Sequence, residues 1–197
     1  MAGKVAERKA RLREALIAAA EAQIAEGGLE ALKARSLAEA AGCSVGAIYN
    51  VFDDLDALVM AVNARTFGAL GRFVSEKVAA QKDASPRTQM ITMAHGYLHF
   101  AQTHTNLWRA MFDLEMSADA QVPEWYQDEL RAVFGLIAAP LAELEPEMDT
   151  RERYLLVRAL FSAVHGVVLL GLERRISAVP EEHMEQMLTL LIGRATQ

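Results

Sequence analysis

The sequence predicts an all-α protein, with an amino-terminal three-helix domain followed by a longer helical bundle. Alanine and leucine together account for 59 of the 197 residues, whereas glycine and proline, which end or break helices, total 17. Apolar residues recur at three- and four-residue steps along most of the chain, which is the period of a helix with one buried face. No segment requires a strand, so helix is favoured nearly everywhere.

Composition excludes several classes of protein. The chain has one cysteine, Cys43, which cannot form an internal disulfide, so we expect a cytoplasmic protein. Uninterrupted apolar runs, such as residues 166–172, are far shorter than the roughly 20 residues that span a bilayer, so no membrane span is expected. The amino terminus lacks the hydrophobic block of a secretory signal. A net charge of −6 argues against a histone-like binder of nucleic acid.

The first helix is predicted over residues 8–26. Its apolar positions share one face, and Gly27 and Gly28 then end it. These positions are Leu12, Leu16, Ala19, Ala20 and Ile24.

Residues 36–52 predict two short helices joined by a tight turn. Gly42 permits the positive φ of such a turn, Ser44 is a favourable N-cap, and Ile48 with Phe52 marks the buried side of the second helix. Such a pair is a helix-turn-helix, whose second helix fits the major groove of DNA. Its outward positions are Ser44, Val45, Gly46, Ala47, Tyr49 and Asn50. An ordinary pair of core helices is the alternative that the spacing leaves open.

Six further helices are predicted from their start signals and breaks. Asp53 or Asp54 caps the first of them, and Ser85 with Pro86 begins the second after a short linker. The predicted ranges are 54–81, 87–104, 106–116, 123–145, 150–176 and 180–194.

The chain resembles the DNA-binding domain of the TetR (tetracycline-repressor-like) family of transcriptional regulators. The resemblance lies in Arg35-Ser-Leu-Ala-Glu-Ala-Ala-Gly-Cys-Ser-Val-Gly-Ala-Ile-Tyr-Asn-Val-Phe52 and in Asp54-Leu-Asp-Ala-Leu58. It implies a DNA-binding domain over residues 1–53, with its motif at about 33–52, and a helical ligand-binding and dimerisation domain over 54–197. The implied DNA-binding residues are Lys33, Arg35, Ser44, Val45, Gly46, Ala47, Tyr49 and Asn50.

Some positions depart from the usual pattern of that family. Lysine is usual where this chain has Val45 and Leu55, and threonine is usual where it has Ala47. Each departure removes an expected interaction with a phosphate. Each such removal makes the slope of log K for DNA binding against log salt concentration shallower by about 0.9. Lys33 is expected to restore one of these interactions. A basic tail either adds others or is a frayed, solvated terminus; its cations are Lys4, Arg8, Lys9, Arg11 and Arg13.

A ligand pocket is predicted in the carboxy-terminal region, where seven of the 13 aromatic residues fall between positions 97 and 134. Ordinary core packing explains any single one of them, but the resemblance implies a pocket for a small molecule. The segment Phe161-Ser-Ala-Val-His165-Gly166 is similar to the Trp-x-x-x-His-Gly stretch of one TetR subgroup. The predicted ligand-binding residues are Tyr97, Phe100, Trp108, Met111, Phe112, Trp125, Tyr126, Phe134, Phe161 and His165.

A homodimer is predicted from the last two helices, because they carry more apolar surface than one helix pair can bury. The alternative is burial within the same chain. The predicted interface residues are Leu160, Val164, Val167, Gly171, Met184, Met187, Leu188 and Leu191.

A metal site is not expected. His95 and His99 lie one helical turn apart and could join His104 or His165, but no cysteine or carboxylate is placed as an obvious further ligand. No cofactor is expected either.

Together these features predict a cytoplasmic, dimeric regulator, not an enzyme, which binds a double-stranded palindromic operator as a repressor and is released by a small apolar ligand. Two alternatives remain open at this point. One is a small helical metal- or ligand-binding enzyme, for which no catalytic residue set is found. The other is a DNA-binding regulator without a small-molecule effector.

Overall fold

Helices form all the regular structure described by the computed structural model, which covers residues 2–114, 122–173 and 180–196. The all-α prediction is therefore confirmed. The helices are α1 (Ala2–Gly27), α2 (Ala34–Ala40), α3 (Val45–Tyr49), α4 (Leu55–Ala79), α5 (Pro86–Thr103), α6 (Thr105–Asp113), α7 (Glu124–Leu144), α8 (Thr150–Leu172) and α9 (Met184–Ala195). Short 3-10 turns at Leu29–Ala31 and Glu181–His183 precede α2 and α9.

The helix bounds lie within a few residues of the predicted ones, except at the start of α1. This helix begins at Ala2 and not at Arg8, so the basic segment is helical. Its alanine, lysine, glutamate and arginine residues are strong helix formers, and they extend the helix without an apolar face that periodicity would detect. The predicted ends 115–116 and 174–176 lie outside the described residues.

Side-chain caps fix the start of three helices. Asp54 Oδ1 accepts a hydrogen bond from the Ala57 amide at 2.7 Å, and Ser85 Oγ accepts one from the Thr88 amide at 3.2 Å. Asp149 accepts from two amides at the start of α8. Ser44, by contrast, occupies the N-cap of α3 without a capping hydrogen bond from its side chain. The predicted N-cap position is therefore confirmed, but the Ser44 side chain does not cap the helix.

The chain divides into two compact units. The first contains Met1–Phe67 and His104–Gln127, and the second contains Gly68–Thr103 and Asp128–Gln197. The predicted domain boundary after residue 53 falls inside the first unit, and the functional division of the chain remains a prediction.

The first unit is built around the contacts of α1 with α2 and α6. Asn106, on α6, donates a hydrogen bond to the carbonyl oxygen of Ala25 at 3.0 Å and so satisfies the end of α1. Asn63 is fully buried and donates to the carbonyl of Ala110 at 2.8 Å. The fully buried core side chains include Leu16, Ile17, Ala20, Ile24, Leu37, Ile48, Leu58 and Val62.

The second unit is built mainly from α5, α8 and α9, which pack against one another. Arg87, near the start of α5, donates to the carbonyl of Thr196 beyond the end of α9. The most completely buried side chains here are Leu98, Leu141, Val168, Met184 and Leu188. These contacts bring the three helices into one bundle.

Helix α8 bears on the expectation that no segment spans a membrane, against which it is weak evidence. Over an 18-residue window its mean hydropathy is 2.0, and among the described helices it is the one long and apolar enough to cross a bilayer. Length and composition alone support that interpretation, and the same properties occur in core helices of soluble proteins. An uninterrupted apolar run does not identify this helix, because polar and charged residues such as Arg158 interrupt it.

Candidate DNA-binding and effector sites

Helices α2 and α3 form the predicted helix-turn-helix. Gly42 adopts a φ of +64°, which glycine reaches without steric cost, and its amide bonds to the carbonyl of Glu39 at 3.1 Å. The amide of Cys43 then donates to the carbonyl of Ala38 at 2.9 Å, which closes the turn. Leu37 and Ile48 are fully buried, one on each helix. The turn and the shared core thus hold the two helices in a fixed arrangement.

The predicted DNA-binding residues lie on the solvent side of this motif. Val45 keeps 41% of its surface exposed and Tyr49 keeps 49%, whereas Phe52 is only 6% exposed. Ala47 is half-buried. The other exposed positions are Lys33, Arg35, Ser44, Gly46 and Asn50. The exposed face of α3 therefore presents a tyrosine hydroxyl, an amide, a serine hydroxyl and small apolar groups to a partner.

Helix α1 approaches the end of the motif through Arg13. The Arg13 guanidinium lies over the Phe52 ring, 5.3 Å from its centroid, a cation–π arrangement. Further along α1, Ser36 of α2 donates from its hydroxyl to Gln23 Oε1 at 3.2 Å. These contacts attach α2 and the segment that follows α3 to α1.

A cavity of about 60 Å³ lies within the second unit, among five helices. Its lining side chains are apolar with one exception, the Tyr97 side chain. The lining residues are Leu70, Gly71, Val74, Met90, Met93, Ala94, Tyr97, Val133, Leu136, Ile137, Leu160, Phe161, Val164 and Ile192. An apolar lining with one oriented polar group is typical of a site for a small apolar molecule.

Tyr97 connects the cavity to His165. Its hydroxyl lies 2.8 Å from His165 Nδ1, within hydrogen-bond distance. Burial lowers the pKa of His165 because the charged imidazolium loses its hydration there. The neutral ring is therefore favoured, and the imidazole tautomer sets which of the two groups donates this hydrogen bond. The Phe161 ring packs edge-on to Tyr97 and is stacked with His165.

The predicted ligand residues separate into two groups in the structure. Tyr97 and Phe161 line the cavity. Phe134 and His165 lie in the same unit and contact Phe161, whereas Phe100 packs against Phe73 of α4. The remaining residues lie in the first unit and do not line this cavity: Trp108, Met111, Phe112, Trp125 and Tyr126.

That second group forms an aromatic cluster of its own. Phe67 packs edge-on against Phe112 and Tyr126, with centroid separations of 6.5 and 5.9 Å. Trp108 is fully buried beside Phe112. Burial raises the pKa of Tyr126, and its hydrogen bond to Asn63 partly opposes that shift. Of the five predicted residues in this unit, Trp108, Met111 and Tyr126 are buried, whereas Phe112 is 37% and Trp125 is 44% exposed.

Sequence reasoning missed much of the aliphatic lining because it searched for aromatic side chains. The missed residues include Leu70, Val74, Val133, Leu136, Ile137 and Ile192. A signal was present, since positions 70, 71 and 74 on α4 and positions 90, 93, 94 and 97 on α5 follow the spacing of one helix face. Such spacing identifies a buried face, but it does not distinguish a cavity wall from close packing.

The predicted dimer residues include both buried and accessible side chains. Within the single chain, Leu160, Val164, Met184 and Leu188 are buried, whereas Met187 is 37% exposed. Val167, Gly171 and Leu191 are partly exposed. Four large apolar side chains that were not predicted are more exposed, namely Tyr154, Leu155 and Leu170 on α8 and Leu190 on α9.

The histidines considered as metal ligands have other partners. His95 Nε2 lies within hydrogen-bond distance of the Glu185 carbonyl and the Thr189 hydroxyl, and the His99 ring stacks on Phe73. Across the part of the chain that the structure describes, no three histidine, cysteine, aspartate or glutamate side chains are grouped to hold a metal ion.

Two family models match the chain. Residues 16–62 match the model for bacterial regulatory proteins of the tetR family. Residues 90–195, more than half of the chain, match the model for the tetracyclin repressor-like C-terminal domain.

Individual proteins are similar over nearly the whole length. The HTH-type transcriptional repressor KstR of Mycobacterium tuberculosis is 26% identical over 188 residues, covering 95% of this chain and 81% of KstR. The structure of a protein of unknown function from Rhodococcus sp. RHA1 has a TM-score of 0.74 with 22% identity. The match covers 94% of this chain and 96% of the Rhodococcus chain. The structure of FadR of Bacillus subtilis in complex with stearoyl-CoA has a TM-score of 0.69 with 13% identity. The match covers 93% of this chain and 97% of the FadR chain. These structural likenesses show a shared fold.

Proposed function

Because the chain belongs to the tetR family of bacterial regulatory proteins, we propose that it represses transcription by occupying a palindromic operator until a small apolar molecule releases it. The chain is a DNA-binding transcriptional regulator and not an enzyme. We further propose that the chain is a cytoplasmic dimer whose operator is palindromic and whose effector is a small molecule.

The observation that carries the proposal is the exposed face of α3 on a buried scaffold. Ile48 anchors α3 in the core, while Tyr49 and Val45 remain about half exposed. A helix held in this way enters the major groove as a rigid body, with no ordering cost at the moment of binding. Tyr49 and Ser44 are suited to phosphate contacts, and Asn50 is suited to an adenine edge or a phosphate.

Dimerisation is proposed through the exposed apolar stripe of α8 and α9, which consists of Leu155, Leu170, Met187 and Leu190. These residues replace the buried members of the predicted interface, which are Leu160, Val164, Met184 and Leu188. Pairing with a second copy covers the stripe and also accounts for the high hydropathy of α8, of whose 18-residue window only 22% is buried in one chain. A symmetric dimer places two recognition helices about 34–36 Å apart, one turn of DNA.

The effector is proposed to be an apolar molecule with a single hydrogen-bonding group. Among the described residues no cation lines the cavity, so nothing there would compensate the burial of an anionic group. The Tyr97 hydroxyl and its partner His165 supply the polar contact. The stearoyl-CoA complex of FadR supports a regulator of this fold that binds a molecule with a long apolar part.

Helix α4 is proposed as the element that transmits the signal. Its Leu58 and Val62 belong to the core of the first unit, whereas its Leu70 and Val74 line the cavity. A ligand that moves α4 would change the spacing of the two recognition helices. To change the ratio of operator-bound to released regulator from 99:1 to 1:99, the ligand must bind the released state about 10⁴-fold more tightly than the operator-bound state.

The test is to select bound duplexes from a random library and to sequence them. We expect an inverted repeat whose half-sites lie about one helical turn apart. Binding that enriches no sequence, or that enriches only a single half-site, contradicts a dimeric reader of a palindrome.

Effector binding is tested by thermal unfolding against a panel of apolar compounds with and without one hydroxyl group. We expect stabilisation by some members and weaker operator binding in their presence. If no compound raises the unfolding temperature, the regulator acts without a small-molecule effector of this class.

A further inference from the structure

The first turns of α1 form an exposed basic helix that precedes the core of the first unit. Every side chain from residue 3 to residue 11 is exposed, and the first fully buried side chain is Leu16. Residues 3–13 carry five cations and one acidic side chain, a net charge of +4, while the chain as a whole carries −6. The positive charge of the molecule is therefore concentrated on a segment in which Leu12 is the apolar residue that packs against the core.

The helix-turn-helix itself carries no net positive charge. From residue 33 to residue 55 there are two cations, Lys33 and Arg35, and three acidic side chains. DNA binding depends on the neutralisation of phosphates by lysine and arginine. A reading surface with a net charge of −1 needs cations from a neighbouring element.

Arg13 shows which face of α1 lies beside the recognition helix. Its guanidinium sits over Phe52, three residues after the end of α3. Lys9 is one helical turn before Arg13 and so lies on the same face. Lys9 forms no ion pair among the described residues, whereas Arg11, on another face, pairs with Glu7 at 3.6 Å.

We propose that the basic turns of α1 are a second DNA-binding surface, in which Lys9 contacts a backbone phosphate flanking the base pairs read by α3. The proposal rests on the DNA-binding function proposed above. A phosphate is the fitting partner because a lysine on a rigid helix offers a point charge, and phosphate contacts position a protein without reading sequence.

The experiment compares the salt dependence of operator binding for the wild type, Lys9→Gln and Arg11→Gln. Each variant removes one exposed cation from the same helix, so net charge is matched. In a dimer, Lys9→Gln removes one phosphate interaction from each subunit, so we expect the slope of log K against log salt to become shallower by about 1.8. Arg11→Gln should leave the slope unchanged. Circular dichroism is expected to show the same helix content in all three proteins, because neither side chain is packed.

A non-operator duplex gives the second measurement. Lys9→Gln should reduce the slope there by the same amount, because a phosphate contact is independent of sequence. Equal slopes for Lys9→Gln and the wild type overturn the proposal, as do equal reductions in both variants, which would indicate net charge alone.

Two outcomes separate this surface from the main function. If the wild type binds no duplex even at low salt, the proposed DNA-binding function is wrong, and the α1 surface proposed here is wrong with it. If DNA slopes are unchanged but Lys9→Gln weakens binding to vesicles of anionic phospholipid, the basic turns bind a membrane surface and the present proposal is wrong.

Discussion

At the scale of single residues, Tyr49 gives the clearest prediction about DNA binding. Nearly half of its surface is exposed on α3, and its neighbour Ile48 is fully buried, so the backbone position is fixed while the phenol ring is free to meet DNA. A hydrogen bond from a hydroxyl to a charged phosphate contributes about 1.5–3 kcal/mol.

Tyr49→Ala should therefore weaken operator binding by at least about tenfold for each half-site, with the dimer intact. Fluorescence anisotropy with a labelled operator measures the affinity, and size-exclusion chromatography measures the dimer. Tyr49→Phe keeps the ring and removes only the hydroxyl, so it should show the same loss if the hydrogen bond to phosphate is responsible. An unchanged affinity for Tyr49→Ala would remove this residue from the site.

His165 makes the stability of the second unit dependent on pH. Burial lowers its pKa in the folded chain, so between the folded and unfolded pKa values the unfolded chain binds more protons. The contribution of His165 is complete above about pH 6.5, the ordinary pKa, and is lost as the pH falls below it.

Urea unfolding at about pH 7.5 and about pH 5.5, on either side of that ordinary pKa, checks this expectation. The wild type should lose more free energy of unfolding between these two values than His165→Gln, because the glutamine does not titrate. The difference between the two proteins isolates this group, since the carboxylates and the other histidines are common to both. Equal losses would show that His165 has an ordinary pKa.

At the scale of the helix, capping residues could be predicted and could also be misjudged. The sequence predicts the start of α4 at Asp53 or Asp54, and Asp54 is the one that accepts a hydrogen bond from the amide of Ala57. Ser44 occupies the predicted N-cap position of α3, but its side chain accepts no capping hydrogen bond, although serine is a favoured N-cap residue. Spacing identifies a cap position, but it does not determine the side-chain rotamer that makes the bond.

Asp54→Ala should destabilise the chain by about 0.5–2 kcal/mol, the usual cost of losing an N-cap. Asp53→Ala is the matched control because it removes the same charge from the neighbouring residue without removing a capping bond. Thermal unfolding should show a melting temperature lower by a few degrees for Asp54→Ala alone. Equal effects of both substitutions would assign the loss to charge and not to the cap.

Other parts of the elements were beyond sequence reasoning for physical reasons. The basic start of α1 has no apolar face, so periodicity could not detect it, and only the helix propensity of its residues indicates it. The positions of Leu136 and Ile137 on α7 indicate a buried face, but whether that face borders a cavity depends on helices that are distant in sequence. Likewise, Trp108 was predicted for the pocket by its type, whereas its neighbours on α6 place it in the core of the first unit.

At the scale of the whole molecule, the exposed apolar stripe is the feature that one chain leaves unexplained. Leu155 and Leu190 are each 56% exposed, and Leu170 is 45% exposed. Several exposed large apolar side chains on two neighbouring helices mark a candidate interaction site. In a two-fold dimer each of these residues is buried twice, so each substitution acts twice.

Leu190→Glu should therefore convert the dimer into a monomer. Burial of a leucine contributes about 1.5–3 kcal/mol, so removing both copies makes the dimer more than about a hundredfold weaker. Light scattering coupled to size-exclusion chromatography measures the mass of the species in solution. Val5→Glu is the matched control, since Val5 is also exposed and apolar but lies on α1.

The same variant tests how dimerisation and DNA reading are coupled. A monomer contacts one half-site, so Leu190→Glu should lose the preference for a palindrome while a single half-site is still bound weakly. If Leu190→Glu remains a dimer, the stripe is not the interface. If the wild type instead floats with phospholipid vesicles and Leu190→Glu does not, the apolar stripe of α8 and α9 binds a bilayer.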